Sequence, residues 1–433
     1  MPNVLIPINF DGKQPTGAAG QQKSLVRDSS ISSVSSLHKK IVPQEVPVPM
    51  GQTKINFSYI VAESEQDCKS MAESCIERME KIGAKRKIAD FIVKEKQPYD
   101  FKVRYAQRRA EEFAEECYKR DLNFHVSVGG LDSITLFLFL KKLGIDAPGI
   151  SVSYLEDVSI QKVHKELGIE RLKSAVRYID ENGVEHRWSK PAIIQEFGFP
   201  VLSKEIAGKI ETLAHPTEKN KTVRHAIVTG ETGSYGGFQK NSRMKLSQKW
   251  LEKFAGYANE EEGTDYQIAP FDVSSKCCYY LKEKPCTDWA KEHNSVPYLG
   301  LMASEGGRRA KSLRINGCNY FGKSTIRSAP FAIFSRQDLL QLALDLEVPV
   351  PEIYGTIERK PDGTLYTTKA QRTGCSMCGF GVHLEKRPHR FDLLRERSPK
   401  EWHYWMYECC VDENTGEKYG WARVLDYIGV EYL

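Results

Sequence analysis

Two groups of residues in this sequence have types and spacings that suit chemistry. The first is a glycine-rich loop between two apolar runs, within FHVSVGGLDSITLFLFL, Phe124 to Leu140. The second is a set of cysteines in SSKCCYYLKEKPC, INGCNYFGK and RTGCSMCGFG. Backbone N–H groups in a glycine-rich loop suit an anionic ligand, and clustered thiolates suit a metal. The sequence therefore predicts an anion site and a thiolate site.

The glycine-rich loop predicts a strand, a tight turn and a helix, in that order. Gly129 and Gly130 let backbone N–H groups approach an anion closely, and a helix that starts near Ser133 directs its positive end to the same place. The loop lacks both the GK[ST] ending of a Walker loop and a GxGxxG pattern. We expect it to bind a pyrophosphate group, and a tight turn without a ligand is the alternative.

The cysteines are unevenly distributed along the chain. Cys375 and Cys378 form a CxxC flanked by glycines, which presents two thiolates from a turn. A distant pair such as Cys277 and Cys278 can complete a tetrahedral or a cubane site, so zinc and an iron-sulfur cluster both fit. Cysteines on the predicted amino-terminal helices fit better as small buried hydrophobic residues, namely Cys68, Cys75 and Cys117.

The apolar spacing predicts the elements around the loop. FKVRYAQRRAEEFAEECYKR has the pattern of an amphipathic helix, IDAPGISVSYLE that of a turn and a second strand, and SIQKVHKELG that of a helix closed by glycine. HAIVTGE is predicted to be a third strand, and FSRQDLLQLALDLEV a helix capped by Ser335. This order of elements predicts an α/β fold in which helices cover both faces of a parallel sheet.

Composition along the chain predicts four segments. Residues 1–52 are rich in Ser, Gly, Gln and Pro and are expected to be a flexible tail. Residues 53–120 are a helical lead-in, which opens with the strand-like KINFSYIVA. Residues 121–330 are the nucleotide-binding domain, and residues 331–433 are a helical carboxy-terminal part that contains the CxxC.

The loop resembles the SGGxDS loop of the ATP pyrophosphatase (PP-loop) superfamily. Gly129, Gly130, Asp132 and Ser133 match that pattern, whereas Val128 stands where the family has its first serine and Ser127 lies one position earlier. The resemblance implies a Rossmann-like sheet of the PP-loop type. It also implies ATP, bound with Mg²⁺ and cleaved between the α and β phosphates. Either Ser127 substitutes for the missing serine in this loop, or that hydroxyl is absent.

The cysteine pattern resembles that of a family that shares this loop. A tandem CC followed by a distant CxxC is similar to the [4Fe-4S] pattern of adenylylsulfate reductases, which are members of the phosphoadenosine phosphosulfate (PAPS) reductase family. The resemblance implies that the cluster ligands are Cys277, Cys278, Cys375 and Cys378. YLGLMASEGGRRAKSL also looks like the family's strand-then-arginine segment, so Arg308 and Arg309 are candidates to hold a phosphate or the substrate.

The chain departs from the reductases at its carboxy terminus. Reductases of this family end in an ECGLH-like segment with the attacking cysteine, whereas this chain ends RVLDYIGVEYL. The chain is therefore more similar to non-reductase members, in which loop and cluster serve ATP-dependent sulfur insertion into a nucleobase carbonyl, in a free purine or in tRNA. The expected sulfur donor is sulfide or a persulfide from a partner such as a cysteine desulfurase.

Other functions and ligand sets fit the same residues. One alternative is an adenylylsulfate or PAPS reductase that uses Cys409 or Cys410, and another is a sulfur transfer of the DNA phosphorothioation type. A zinc-stabilised nucleotide-binding module without catalysis is a third. The cluster has three or four cysteine ligands, with Cys286 and Cys318 in reserve. A homo-oligomer is also compatible with the sequence.

Composition limits the cellular setting. The formal net charge of +5 is too small to argue for nucleic-acid binding by itself. No apolar run reaches the roughly 18 to 20 residues that a membrane span needs, and the amino terminus lacks the pattern of a secretory signal. We therefore expect a cytoplasmic protein without a membrane partner, whose eleven cysteines are reduced thiols or metal ligands.

Overall fold

The computed structural model describes residues 83, 85–152, 156–231, 243–256, 258–259 and 264–432. The predicted tail at residues 1–52 and the predicted strand KINFSYIVA lie outside these residues. By its internal packing the chain divides into residues Met1–Ala89 and Asp90–Leu433. The sheet, the loop and the cysteines discussed below all belong to the second unit.

The described residues contain the following elements, in chain order. The helices are α1 (85–95), α2 (Tyr99–Lys119), α3 (Leu131–Lys142), α4 (Val158–Glu166), α5 (Lys190–Phe197), α6 (Lys204–Ala214), α7 (Lys221–Thr229), α8 (Gln248–Phe254), α9 (Lys276–Cys278), α10 (Lys284–Glu292), α11 (Gly307–Asn316), α12 (Arg336–Asp345), α13 (Arg390–Arg397), α14 (Pro399–Tyr407) and α15 (Trp421–Ile428). The strands are β1 (Asn123–Ser127), β2 (Gly149–Ser151), β3 (Glu170–Arg171), β4 (Val176–Ile179), β5 (Glu185–Arg187), β6 (Val201–Leu202), β7 (Ala258–Asn259), β8 (Thr264–Asp265), β9 (Ser295–Tyr298), β10 (Asn319–Phe321), β11 (Ile326–Ser328), β12 (Ile357–Arg359), β13 (Leu365–Thr367), β14 (Gly379–Phe380), β15 (Cys410–Val411) and β16 (Lys418–Tyr419).

The main sheet has β1 near its centre. Within the described part of the chain it has six strands in the order β10-β11-β9-β1-β2-β3. All neighbouring pairs are parallel except β10 and β11. Val126 pairs with Gly149, the first residue of β2, on one side and with Tyr298, the last residue of β9, on the other, so β1 runs parallel to both neighbours. The predicted α/β class with a mostly parallel sheet is confirmed, and the arrangement is compatible with a Rossmann-like fold.

Most of the predicted elements around the loop are confirmed. Strand β1, helix α3, strand β2 and helix α4 follow in the predicted order, and α2 covers the predicted amphipathic helix. Ser335 caps α12 as expected: its hydroxyl oxygen accepts the N–H of Asp338 at 3.3 Å, and the Asp338 carboxylate accepts the N–H of Ser335 at 2.7 Å. This reciprocal pair satisfies two amide groups that the helix itself leaves unpaired.

The prediction of a third strand at HAIVTGE is wrong. Residues Lys221–Thr229 form helix α7, which follows a short 3₁₀ turn with a capping box between Thr217 and Asn220. The helix ends at Gly230, whose φ of 85° is the left-handed conformation typical of a helix C-cap. Local capping therefore outweighs the β-like run of apolar residues. The parallel sheet is extended by β9 and β11 instead, on the side of β1 away from β2.

Two large hydrophobic clusters hold these elements. The first joins β1, α2, α3, β9 and α12, with Val126, Ile134 and Leu340 fully buried. The second joins residues of α6, α8 and α13–α15 around Trp421, which is completely buried. Leu339 and Leu340 thus share a core with the loop, although they lie beyond residue 330, where the sequence predicts a domain boundary. That boundary stays a prediction.

None of the described helices is both long and apolar enough to cross a membrane.

Candidate functional site

The predicted glycine-rich loop connects β1 to α3 at the carboxyl edge of the sheet. Ser127 is the last residue of β1, and α3 begins at Leu131. Val128 is buried, and its N–H donates to the Ile150 carbonyl oxygen at 2.9 Å. A core side chain therefore occupies the position at which the resemblance expected a serine, and Ser127 is held in register opposite Ile150.

The loop is closed by its own hydrogen bonds. The Gly129 N–H donates to Ser133 Oγ at 2.7 Å, and the Ser133 hydroxyl donates to the Gly130 carbonyl oxygen at 3.0 Å. Within the described part of the chain, the N–H groups of Gly130 and Asp132 donate to no acceptor. Two backbone donors at the start of a 12-residue helix are thus available to an anion.

The two loop glycines meet different surroundings. A Cβ on Gly130 would overlap with the Tyr354 hydroxyl and would lie 3.1 Å from Thr373 Oγ1. A Cβ on Gly129 would meet only Ser133 Oγ, at 3.8 Å, which is ordinary contact. Protein packing therefore requires glycine at 130, whereas at 129 the space that a side chain would fill is left open beside the loop.

Three side chains from other elements support the loop. The Tyr354 hydroxyl accepts the N–H of Leu131 at 3.2 Å and lies 2.7 Å from Thr373 Oγ1. His164 Nε2 of α4 lies 2.8 Å from the Gly129 carbonyl oxygen. Tyr354 and His164 are almost completely buried. The loop is consequently anchored from both sides by groups that water does not reach.

Asp132 faces several charged residues. It forms an ion pair with Arg336, whose other guanidinium nitrogen donates to the Gln371 carbonyl oxygen at 3.1 Å. Burial raises the pKa of Asp132 above its usual range, Arg336 opposes this rise, and Glu305 adds to it. Arg336 was not among the residues predicted from the sequence; its place directly after the helix cap Ser335 is a signal that its side chain starts near the same edge of the sheet.

The predicted arginines lie on α11. The Arg309 guanidinium is exposed and binds Glu305 at 2.8 Å, and Glu305 is close enough to act on the Asp132 pKa. The Arg308 side chain lies outside the described residues. The structure therefore brings Arg309 to the neighbourhood of the loop through Glu305, without a direct contact to Asp132.

The four predicted cluster cysteines line one pocket. Cys277 and Cys278 come from α9, which continues through a π-helical turn (Tyr279–Glu283) into α10, and a π turn of this kind is frequent at functional sites. Cys375 and Cys378 come from a turn in which the Cys378 N–H donates to the Cys375 carbonyl oxygen at 3.1 Å. The rest of the lining is Lys190, Pro200, Leu281 and Lys282.

Burial and nearby lysines have opposite effects on the pKa values of these thiols. Burial raises the pKa of Cys277 to about 12 and that of Cys278 to about 11, while Lys190 and Lys204 respectively act in the opposite direction. Burial also raises the pKa of Cys375, and Lys282 opposes it. Without a ligand, Cys277, Cys278 and Cys375 therefore favour the protonated thiol, and a bound metal would favour their thiolates.

The spacing of the four thiols does not form a site for a single metal ion. No three Cys, His, Asp or Glu side chains in the described ranges form a group that could hold one metal ion. Tetrahedral zinc requires its thiolates at about 2.3 Å from one point. In a cubane cluster each thiolate binds an iron of its own, so the sulfurs stand further apart around a shared pocket. One buried thiol, Cys277, and three half-buried thiols with Lys190 and Lys282 in the same lining suit such an anionic group.

Contacts through Tyr354 join the loop to the cysteine pocket, and an ion pair near His164 lies beside the Cys375 thiol. Thr373, which contacts Tyr354, lies two residues before Cys375. On the other side, the buried Glu156 forms an ion pair with Lys282, and Lys282 lies beside the Cys375 thiol. Although burial opposes its charged form, Cys375 and Glu156 raise the pKa of Lys282. The two predicted sites are therefore neighbours in the fold.

Four other cysteines lie away from the pocket. Cys286 packs against Ile150 and its neighbours, and Cys318 is buried in the first core, 3.9 Å from the Tyr105 hydroxyl. Cys409 and Cys410 are buried in the second core with 3.9 Å between their sulfurs. None of the four lines the cysteine pocket.

A comparison with protein-family models finds none that matches this sequence, and a search of curated proteins finds no match either. The fold, the loop and the cysteine pocket are therefore the observations that bear on function.

Proposed function

We propose that this protein is an ATP-dependent sulfurtransferase of the PP-loop type, similar to the PAPS reductase family but not a reductase. It adenylates a carbonyl oxygen, most simply that of a nucleobase, free or in tRNA, and replaces it with sulfur. The observation that carries the proposal is the adjacency of the two sites: the Tyr354 hydroxyl that holds the start of α3 also contacts Thr373, two residues from Cys375. An anion loop and a four-thiol pocket side by side suit a reaction that needs both ATP and sulfur.

The loop residues would bind the phosphates of ATP. The N–H groups of Gly130 and Asp132 are the donors that the loop leaves for an anion, whereas the Ser133 hydroxyl donates to the Gly130 carbonyl oxygen and so shapes the loop. The Asp132 carboxylate would hold Mg²⁺, which would supply positive charge to the phosphates. Arg336 holds that carboxylate in place. Negative charge that develops on the leaving pyrophosphate would be stabilised by these fixed donors.

The first chemical step is adenylation. The acceptor's carbonyl oxygen attacks the α phosphorus, a new P–O bond forms, and the bond from that phosphorus to the bridging oxygen of the β phosphate breaks. Pyrophosphate leaves with the electron pair of that bond. The step converts oxygen, a poor leaving group, into part of AMP, a good one, and the loop's contribution is to hold the reacting groups in line.

The second step replaces oxygen by sulfur. Hydrosulfide, or a persulfide with a thiol to reduce it, adds to the activated carbon. The C–O bond to AMP then breaks, AMP leaves with its electrons, and the proton of the hydrosulfide passes to solvent. The product has C=S in place of C=O, and no net oxidation occurs when sulfide is the donor.

The four thiols of Cys277, Cys278, Cys375 and Cys378 would hold the [4Fe-4S] cluster. A cluster with three protein ligands would supply an iron that can bind inorganic sulfur. A cluster with four protein ligands would have only an electrostatic or structural role. The chain's own contribution is to surround this anionic group with cations: Lys190 donates to the Ser376 carbonyl oxygen, and Arg390 to that of Cys378 at 3.1 Å.

The test is an anaerobic assay with the cluster reconstituted. Protein, ATP, Mg²⁺ and sulfide are incubated with a panel of free nucleobases, nucleosides and bulk tRNA, and AMP and pyrophosphate are measured. The proposal expects one acceptor to trigger both products and to gain the mass difference between sulfur and oxygen. Turnover of adenylylsulfate or PAPS to sulfite, or protein that holds zinc without iron and releases no AMP, would contradict it.

A further inference from the structure

His164 makes a contact to the loop that the proposed reaction has not used. Its side chain is 1 % exposed, and Nε2 lies 2.8 Å from the Gly129 carbonyl oxygen. A carbonyl oxygen only accepts hydrogen bonds, so Nε2 carries the proton and donates. Burial lowers the pKa of His164, and the ring is therefore neutral, with the lone pair on Nδ1. Nδ1 is buried and has no hydrogen-bond partner among the described residues.

The geometry of the peptide bond extends the effect of this contact to the next residue. The Gly129–Gly130 bond is trans, since the cis peptide in the described part of the chain is Arg387–Pro388. In a planar trans peptide the C=O and the following N–H point in opposite directions. The Gly129 carbonyl is directed at His164, so the Gly130 N–H is directed away from it, and there it has no protein acceptor.

A rotated peptide would have the opposite effect on an anion. Two consecutive glycines have no Cβ to resist rotation of the peptide between them. If that peptide flipped, the Gly129 oxygen would replace the Gly130 N–H on the open side of the loop and would repel a phosphate. Ser133 holds the Gly129 N–H, on the preceding peptide, so it does not fix this one directly.

We propose that His164 is a positioning residue for the nucleotide: by holding the Gly129 carbonyl, it fixes the Gly129–Gly130 peptide in the orientation that presents the Gly130 N–H to a phosphate of ATP. This inference rests on the proposed binding of ATP at the loop. His164 itself touches no phosphate, and its effect is confined to the phosphate part of the ligand.

Three substitutions separate this function from simple packing. In His164→Gln the side-chain amide nitrogen reaches about as far as Nε2 and can donate to the same carbonyl. In His164→Asn the amide is one methylene shorter and falls short of it, although the polarity is similar. His164→Met keeps the bulk without a donor, and it serves as the second variant if the asparagine substitution prevents folding.

The measurement is the Kd of full-length wild type and variants for ATP, pyrophosphate and adenosine, by titration calorimetry, with thermal unfolding followed in parallel. We expect His164→Gln to bind ATP within about threefold of wild type, and His164→Asn and His164→Met to bind ATP and pyrophosphate at least about tenfold more weakly. Adenosine binding should change less than about twofold in all three, because adenosine carries no phosphate.

The outcomes distinguish the inference from the proposed function. If wild type binds ATP and the variants without a donor bind it equally well, the positioning inference is overturned and the ATP site stands. The same holds if those variants lose as much affinity for adenosine as for ATP. If wild type binds neither ATP nor pyrophosphate, the proposed function fails, and the inference that depends on it fails too.

Discussion

The Tyr354 hydroxyl lies 2.7 Å from Thr373 Oγ1 and also accepts the N–H of Leu131, the first residue of α3. One buried phenol therefore connects the loop at the end of β1 to the segment that carries Cys375 and Cys378. These two parts of the chain are more than 200 residues apart in sequence, since Leu131 and Tyr354 are separated by 223 positions. The contact gives the loop and the cysteine turn a common support.

Removal of this hydroxyl should affect both sites. Tyr354→Phe leaves the ring in place but strips an acceptor from the Leu131 N–H and a partner from Thr373. We expect a loss of about 1–3 kcal/mol in the free energy of unfolding, because buried polar groups are left unpaired. Urea unfolding measures it. Tyr366→Phe removes a surface hydrogen bond from a half-buried tyrosine to Glu358 at 3.1 Å; it is the control and should change stability by less than about 0.5 kcal/mol.

The two loop glycines should respond differently to alanine. Gly130→Ala places a methyl group against the Tyr354 hydroxyl, so we expect a loss of about 1–3 kcal/mol in stability. Gly129→Ala meets no close protein atom and should unfold within about 0.5 kcal/mol of wild type, yet bind ATP at least about tenfold more weakly, because its methyl group enters the space left for the ligand. ATP affinity unchanged in Gly129→Ala would argue against a phosphate beside this residue.

The four pocket cysteines should determine iron content. Serine at Cys277, Cys278, Cys375 or Cys378 should lower iron and acid-labile sulfide in anaerobically reconstituted protein well below the wild-type level, because a hydroxyl is a poor iron ligand. Cys286→Ser is the matched control, because Cys286 follows the same π turn but packs against a different cluster. If the Cys286 variant lost as much iron as the pocket variants, iron binding would not depend specifically on the four pocket cysteines.

His125 predicts a dependence of stability on pH. It is buried in β1 beside Ser295, and burial, followed by the charge of His293, lowers the pKa of His125 from 6.5 to about 4. The unfolded chain then binds more protons than the folded one between these values, so stability falls as pH falls from 6.5 towards 4. Between pH 7 and pH 5 this residue should remove about 2 kcal/mol. Urea unfolding of wild type and His125→Gln at both pH values measures the difference, and an identical pH effect in the two proteins would contradict the assignment.

Short-range patterns allowed much of the fold to be predicted. The strand, loop and helix around Gly129 and Gly130 follow from local apolar runs, and the α12 cap follows from Ser335, because both depend on residues within a few positions of each other. HAIVTGE was predicted wrongly because its β-branched residues suit either state, and the capping box at Thr217 and Asn220, several residues upstream, decides for the helix.

The supports of the site could not be predicted from sequence. Tyr354, His164 and Arg336 reach the loop from positions 223, 35 and 204 residues away from their partners, and no local pattern links them to it. The cysteines could be grouped because CC and CxxC are recognisable spacings, although their pairing in one pocket depends on how α9 and the CxxC turn pack. Sequence patterns thus identified the reactive groups, whereas tertiary packing determines which residues hold them.

The measurement that tests the central claim most directly follows the acceptor's oxygen. An acceptor whose carbonyl carries a heavy oxygen isotope is incubated anaerobically with cluster-loaded protein, ATP, Mg²⁺ and sulfide, and AMP and the acceptor are analysed by mass spectrometry. The account predicts that AMP acquires the heavy oxygen and the acceptor gains one sulfur in equal amounts. Release of AMP without the label, or sulfur gain without AMP, would contradict adenylation of the acceptor.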